Sequence, residues 1–482
     1  MNILLGIDVG TTNIKCVAIE PDGRCVMVAS VPTMDYGLME DANRMFAGVC
    51  KVIHLVLREL PGDSVIRGVG ASSVGCGAYC LNDKDEQIFP RRSKKEVLLE
   101  DCIAVTGYPP GYQNAGYQLV AAADDCKEVA KVLSVSDYIA YRLSGQFGRD
   151  ISTAGSMSMY DRQKDIWWDK FKGFTGLTDE VLGKVYYSGT RVGRITKEAT
   201  RLTGIPEGVS VVLGGQDYCS AAFALGCVEE GRLLNMLGTY EIVSSFSANP
   251  RTYPEEVQAF SDCHCFPRRY SLTCETMAGG QLEWLRSTFP EGHKAKFWDD
   301  IYRRMGALSP SHETPNRKEL YIPRTFGEYF PVQDFKGRGG FIGLSPESTP
   351  ASLMAAAIEG LCMYSREMME FVASGKPHEI ILTGGGSRSE FWLQTKADVL
   401  NCALSVPQVV EGTATGAALL AGVGSGVYEN HEEAASVYKH VPTKIVEPNQ
   451  KRVEILEQIY HQVYKPILEA ALKCDRLEIT KK

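Results

Sequence analysis

Ile3, Leu5 and Ile7 alternate with Leu4 and Gly6 up to Asp8, and Ile14, Cys16 and Ala18 resume the alternation after a short turn. A period of two predicts strand, turn, strand. Pro21-Asp22-Gly23 is a turn sequence, and Cys25 to Ala29 reads as a third strand. The period then changes. Phe46, Val49, Ile53, Val56 and Leu60 recur at three- and four-residue spacing, which predicts a helix over residues 43–60. Arg67 to Ser72 returns to strand. In the second half, Thr349 followed by Pro350 is a helix start, and Leu353, Ala357, Leu361, Tyr364, Met368 and Phe371 carry that helix to about Ala373. Glu379 to Thr383 reads as a strand, Gly384-Gly385-Gly386 as a tight turn, and residues 389–400 as a helix. Leu456, Ile459, Val463, Ile467 and Ala471 form one face of a terminal helix that Pro466 kinks or splits. Strands mixed with amphipathic helices predict an α/β protein.

One pattern recurs. Leu5 to Thr12 can be laid over Leu233 to Tyr240, with Gly10-Thr11 falling on Gly238-Thr239, an offset of 228 residues. Each copy is an apolar strand ending in Gly-Thr with another apolar strand behind it. An offset near half the chain predicts two similar halves, 1–228 and 229–482, meeting near Gly226 to Gly231.

Composition narrows the class. The 482 residues carry a net charge of −8, with 44% hydrophobic and 23% charged residues. An acidic chain lacks the basic face that nucleic-acid phosphates require, and this balance excludes disorder. No run approaches ~18 apolar residues, so no membrane helix is expected. The opening segment meets Asp8 too soon to read as an export signal. Fifteen cysteines without a CxxC pair read as reduced thiols in a cytoplasmic protein. The tight group Cys263-His264-Cys265 has no second ligand pair after it, so a metal site is not expected there.

Four segments carry candidate chemistry. In Asp8-Val9-Gly10-Thr11-Thr12-Asn13-Ile14-Lys15 a strand runs into a hairpin. Gly10 permits close backbone approach. Thr11, Thr12 and Lys15 offer hydroxyls, amides and a cation to phosphate oxygens, and Asp8 can hold magnesium through water. A glycine hairpin with a surface lysine would look the same. No GxxxxGK[ST] and no GxGxxG occurs, which removes P-loop and Rossmann sites. In Val211 to Ala222, an apolar strand ends in Gly214-Gly215-Gln216-Asp217 before a helix of small residues. Asp217 there can accept a proton or simply cap the helix. Gly238-Thr239 keeps the Gly-Thr of the repeat, but Met236 stands where the first copy has Asp8. That asymmetry suits one metal–nucleotide complex between two halves. The Gly384–Gly386 turn is the fourth segment.

In order, these segments resemble the FGGY family of carbohydrate kinases over essentially the whole chain. Asp8 to Lys15 resembles the family's first phosphate motif, and Gly214 to Ser220 the second, in which the Asp is the catalytic base. Gly238 and Thr239 resemble the second domain's phosphate contact. Ala278 to Leu285 is similar to a segment whose Gly279 and Glu283 face the nucleotide. Leu382 to Ser389, with Gly384, Gly385, Gly386 and Ser389, resembles the adenosine motif. Gly339, Phe341, Gly343, Leu344 and Ala356 to Glu359 fit the C-terminal signature, whereas Ser352 departs from it. The sugar-binding Trp-x-Asp-x-Arg element is missing; Phe89-Pro90-Arg91-Arg92 stands in its place, and the Lys-Leu-x-Trp element after it is absent near Tyr117 to Leu119. Cys76 and Gly77 fall where relatives contact sugar hydroxyls.

The resemblance implies an α/β fold of two ribonuclease-H-like domains, of the actin and hexokinase type, with a cleft between them. It implies ATP and Mg²⁺, sugar on the N-terminal side and nucleotide on the C-terminal side. Asp217 would be the base and a second carboxylate available to the metal that Asp8 orients. The partner would be a small ketose, deoxy-ketose or polyol; dimers are common in the family, so a homodimer is one expectation. Two rivals remain: a catalytically silent sugar sensor, and an actin-like or chaperone-like ATPase.

Overall fold

The alternating N-terminus forms a three-strand meander, β1 (Asn2–Val9), β2 (Asn13–Ile19) and β3 (Cys25–Pro32), in the computed structural model of the chain. The structure describes residues 1–91, 101–109, 114–308, 319–327, 329–335, 338–440 and 443–476, so Arg92 lies outside the described residues. Helix α1 (Ala42–Glu59) follows, capped by Asp41, whose carboxylate accepts from the amides of Asn43 and Arg44. Its buried stripe, Met45, Phe46, Val49, Val52, Ile53 and Val56, has the helical spacing read from the sequence. Strands β4 (Val65–Ser73), β5 (Arg191–Arg194) and β6 (Ser210–Gln216) complete a six-stranded sheet of order β5-β6-β4-β1-β2-β3. The pairs β1/β4 and β4/β6 are parallel, and the outer pairs antiparallel.

Helix α2 (Asp217–Ala224) leads to a second sheet built the same way. Its strands are β7 (Arg232–Leu237), β8 (Tyr240–Ser247), β9 (Tyr270–Met277), β10 (Glu379–Thr383), β11 (Leu404–Pro407) and β12 (Thr443–Val446), in the order β9-β8-β7-β10-β11-β12. Here β7/β10 and β10/β11 are parallel and the rest antiparallel. A meander followed by parallel crossovers, twice over, is the duplicated ribonuclease-H-like arrangement of the actin and hexokinase type. Helices α3 (Gly279–Thr288), α4 (Pro350–Val372), α5 (Glu390–Leu400) and α6 (Gly412–Ser425) lie in the second half of the chain.

Ser352, which departs from the expected signature, closes a capping box with Thr349 at the start of α4, through reciprocal amide-to-hydroxyl bonds of 3.0 and 3.1 Å. The terminal helix is split by a π-helical stretch at Tyr460–Tyr464, just ahead of Pro466. Proline lacks the amide that would bond the carbonyl four residues back, and the wider turn absorbs that loss.

Helix α6 comes from the second half yet packs on the first sheet. The close approach depends on missing side chains. A Cβ on Gly6 of β1 would lie 1.8 Å from the Ala414 carbonyl oxygen, and one on Gly70 of β4 would lie 2.4 Å from that of Ala417. On the helix itself, a Cβ on Gly416 would lie 1.9 Å from the Ser220 carbonyl oxygen of α2. Leu4, Phe223, Ala418 and Leu420 share the apolar cluster that results between the lobes. Gly6→Ala must therefore push backbone apart, and we expect it to cost about 1–3 kcal/mol, read as a lower urea midpoint. An unchanged midpoint would mean the helix does not bear on that strand.

Candidate active site

β1 delivers Asp8 to one end of the first sheet. The hairpin beyond it is closed by the Gly10 amide donating to the Asn13 carbonyl at 3.1 Å, and anchored by the Thr33 hydroxyl, which donates to the Gly10 carbonyl at 2.7 Å. Thr11 and Thr12 are exposed at its tip. Lys15 stands directly across from Asp8 in the β1/β2 register. Its ammonium pairs with Glu411 at 2.6 Å, and Glu411 sits in the left-handed region as the residue before α6. Nothing in the local pattern around Glu411 marked this contact across 396 residues. Asp8 is buried, and its Oδ1 makes no hydrogen bond. Burial, then the charge of Asp217, push its pKa up to about 7, against the pull of Lys15.

β6 brings Asp217 to the same end. Gly214 allows β6 to press against β4, since a Cβ there would lie 2.5 Å from the Ala71 carbonyl oxygen. Gly215, at φ +82°, then turns the chain into α2. Asp8 is registered on Ser72 of β4, and Gln216 on the neighbouring Ser73. Asp217, the first residue of α2, therefore leaves the sheet one step beyond Gln216, at the same end as Asp8 and on the other side of β4, and its charge acts on Asp8. Asp217 is half-buried and forms no ion pair among the described residues; its Oδ1 accepts from the Tyr218 amide at 2.7 Å. Burial raises its pKa to about 6, opposed by the backbone donors of Tyr218 and Asp217.

Cys76 and Gly77 lie in the loop after β4, over this end. Cys76 is at φ +58°, held by the Ala115 amide on its carbonyl at 2.7 Å. Burial, with Asp262, Glu275 and Asp217 around it, pushes the Cys76 thiol up. Asp262 accepts from the hydroxyls of Tyr108 and Tyr218 beneath the loop. Periodicity gave no sign of these groups, because loop residues far apart in sequence bring them together.

In the second lobe the sequence-identified glycines converge. The Gly238–Thr239 turn joins β7 and β8. Its carbonyls accept from the first amides around α3: Ala278 and Gly280 on Thr239 at 3.0 Å, and Gly279 on Gly238 at 3.1 Å. A Cβ on Gly279 would lie 2.4 Å from the Gly238 oxygen, and one on Gly384 (φ +96°) 2.6 Å from that of Leu237. Gly386 packs on the Leu237 side chain, whereas Gly385 faces open space. Ser389 caps α5 by accepting from the Trp392 amide, and lines a cavity of about 520 Å³ with Tyr302, Phe391, Gln394, Thr395 and Arg452. Glu283 is half-exposed, and both its oxygens are engaged, by Arg286 at 2.7 Å and the Trp298 indole at 3.0 Å. Trp298 stacks on Tyr302 at 5.5 Å, so Glu283 steadies the aromatic wall of that cavity. Met236, the counterpart of Asp8, packs into the apolar cluster between lobes.

The Cys263-His264-Cys265 group is buried, and His264 Nδ1 accepts from the Phe266 amide. Among the described residues, no three or more His, Cys, Asp or Glu gather as a metal cluster. No helix of the described residues is long and apolar enough to cross a membrane.

Two duplicated lobes, with glycine turns on one and paired carboxylates on the other, have the architecture of a nucleotide-dependent phosphotransferase. Residues 121–224 match the N-terminal domain of the FGGY family of carbohydrate kinases, and residues 264–425 match its C-terminal domain. The chain belongs to that family and is a carbohydrate kinase that uses ATP. It is 26% identical to a xylulose kinase of Staphylococcus epidermidis, with 99% of each chain covered. It is also 26% identical to an L-fuculokinase of Escherichia coli O157:H7, covering 90% of this chain and 94% of that one. The structure of a ligand-bound xylulose kinase from Lactobacillus acidophilus superposes with a TM-score of 0.85 at 20% identity, over 98% of this chain and 99% of that one.

Proposed function

We propose that this enzyme moves the γ-phosphoryl group of Mg-ATP to a hydroxyl of a small ketose, deoxy-ketose or polyol, with Asp217 as the general base. The observation that carries the reading is that Asp8, on β1, and Asp217, just past the end of β6, meet at the same end of the first sheet on either side of β4, near enough for the charge of one to act on the other. The acceptor binds on the side of residues 1–228, near Cys76 and Gly77. The nucleotide binds mainly on the side of residues 229–482.

Asp217 has one oxygen held by the Tyr218 amide and the other available to the acceptor. That oxygen takes the hydroxyl proton as the acceptor oxygen bonds to the γ-phosphorus and the bond to the ADP oxygen breaks. Thr11, Thr12 and Lys15 hold the moving phosphoryl group from the first lobe, and Gly238 and Thr239 from the second. Gly279 keeps the α3 amides close to that turn. Gly384, Gly385, Gly386 and Ser389 border the adenosine, with the cavity beside Ser389 and Tyr302 as the base pocket, which Glu283 supports from outside.

Magnesium fits the residues present. Asp8 Oδ1 is buried with no hydrogen-bond partner, and among the described residues Asp8 forms no ion pair. A pair of carboxylates suits an ion that keeps most of its waters, with Asp8 reaching it through water and Asp217 beside it. Bound there, the ion would neutralise charge on the phosphates.

The test is an ADP-release screen of the purified enzyme against ketoses, deoxy-ketoses and polyols. At least one acceptor should drive turnover well above ATP hydrolysis in its absence; acceptor-independent hydrolysis throughout would reject the reading. Excess chelator should reduce turnover to background, and added Mg²⁺ should restore it. Turnover that persists in chelator would remove the metal from Asp8.

A further inference from the structure

The first lobe lacks the expected sugar-binding element, yet the second lobe carries a carboxylate without a side-chain partner within electrostatic reach of Asp217. Strand β9 has two faces. Leu272 and Cys274 join the apolar core of the second lobe. Ser271, Thr273 and Glu275 take the other face, and there the Ser271 hydroxyl bonds the Tyr218 phenol, one residue after Asp217. Glu275 pairs in register with Ile242, which shares the row with Met236. Met236 packs against the interlobe cluster that holds Phe223 of α2. Glu275 is thus on the surface of the second sheet that faces the first lobe. The groups around it belong to both lobes: Asp217 and Cys76 from one, Tyr329 from the other. Tyr329 in turn meets Tyr240 edge to face at 5.8 Å, beside the Gly238–Thr239 turn.

The Glu275 carboxylate makes no hydrogen bond or ion pair with any described residue. A half-buried carboxylate in that state needs donors. Burial first, then the nearby charge of Asp217, raise its pKa. Asp217 is the charged group acting on it, so an acidic group of an acceptor seated between Glu275 and Asp217 would meet two carboxylates, away from Lys15 on the Asp8 side.

We infer that Glu275 is a specificity-determining residue of the acceptor site, accepting hydrogen bonds from hydroxyls of a neutral polyhydroxy acceptor and excluding sugar acids. Tyr240 and Tyr329 flank it as an aromatic edge against the carbon skeleton. The second lobe so supplies recognition that the first lobe does not carry in Trp-x-Asp-x-Arg form. This inference rests on the acceptor binding next to Asp217, as proposed above.

The test uses the full chain with xylulose, L-fuculose, glycerol, ribitol and gluconate as acceptors. Wild type should turn over at least one neutral acceptor and discriminate strongly against gluconate. Glu275→Gln should raise KM for the best neutral acceptor about 10- to 100-fold, the range that loss of a hydrogen bond to a charged group spans. It should narrow the preference over gluconate at least about tenfold by removing the repulsion, with KM for ATP within twofold. A KM for ATP or a Mg²⁺ requirement that moves instead would overturn the inference, as would unchanged acceptor kinetics. Glu275→Ala, which removes the acceptor oxygens outright, should raise acceptor KM further; no rise in either variant also overturns it. Asp217→Asn separates the two readings. If that variant is inactive while Glu275→Gln matches wild type, only this inference fails; if Asp217→Asn stays active, the base assignment fails.

Discussion

Asp217→Asn should lower kcat for sugar phosphorylation by about 10²- to 10⁴-fold while ATP affinity stays within a few-fold. The amide has the shape of the carboxylate, and its oxygen can still accept from the Tyr218 amide as Asp217 Oδ1 does at 2.7 Å. The Asp217 turn and α2 therefore keep their geometry. What is lost is the oxygen that takes the acceptor's proton. The nucleotide contacts proposed above lie mainly across the cleft, on turns held by backbone hydrogen bonds between Gly238–Thr239 and α3. ADP release measures the first quantity and titration calorimetry with ATP the second. Turnover above about 1% of wild type would contradict the base assignment, because a group in that role carries at least that much.

Lys396→Met should be the most destabilising single change considered, by about 3–5 kcal/mol. Lys396 and Glu241 are both fully buried and form an ion pair inside the second lobe. Glu241 Oε1 also accepts from the Ser365 hydroxyl at 2.6 Å and the Asn235 amide at 2.8 Å, and Lys396 donates to Ser365 at 2.7 Å. Removing the ammonium leaves a fully buried carboxylate without its counter-charge. Glu241 stands two residues after Thr239, so the damage should also reach the Gly238–Thr239 turn. Urea denaturation followed by tryptophan fluorescence measures the loss as a lower midpoint. Adding Glu241→Gln to Lys396→Met should recover part of it, since the stranded charge is then gone. A midpoint within experimental error of wild type for Lys396→Met would mean the pair carries no net burden.

The hairpin at Asp8 to Lys15, the glycine turn at Gly384–Gly386 and helix α4 were legible because each is encoded locally. Period-two alternation, a Thr-Pro helix start and consecutive glycines are statements about neighbours in sequence. The internal match of Gly10-Thr11 with Gly238-Thr239 went further, since both lie at the ends of corresponding strands in sheets of the same order. Other features were not legible. Glu411 belongs to the Asp8–Lys15 hairpin of the first lobe by contact but to the far half of the chain by number. The Lys396–Glu241 pair joins a helix and a strand 155 positions apart, and nothing in a helical pattern distinguishes a buried lysine from a solvated one. Glu275 was hidden by its strand: the alternation marks it as the outward residue, and an outward glutamate ordinarily meets water. Gly6, Gly68 and Gly70 fall on adjacent strands and smooth one surface for a helix that arrives late.

That late arrival bears on how the protein is made. The first sheet is complete in sequence at Gln216, but the helix that covers its glycine face ends only at Ser425. At ~5–20 residues per second, a ribosome needs about 10–40 s to span that interval. Through it the nascent first lobe presents a bare apolar surface, and its folding can finish only when the helix ending at Ser425 has emerged.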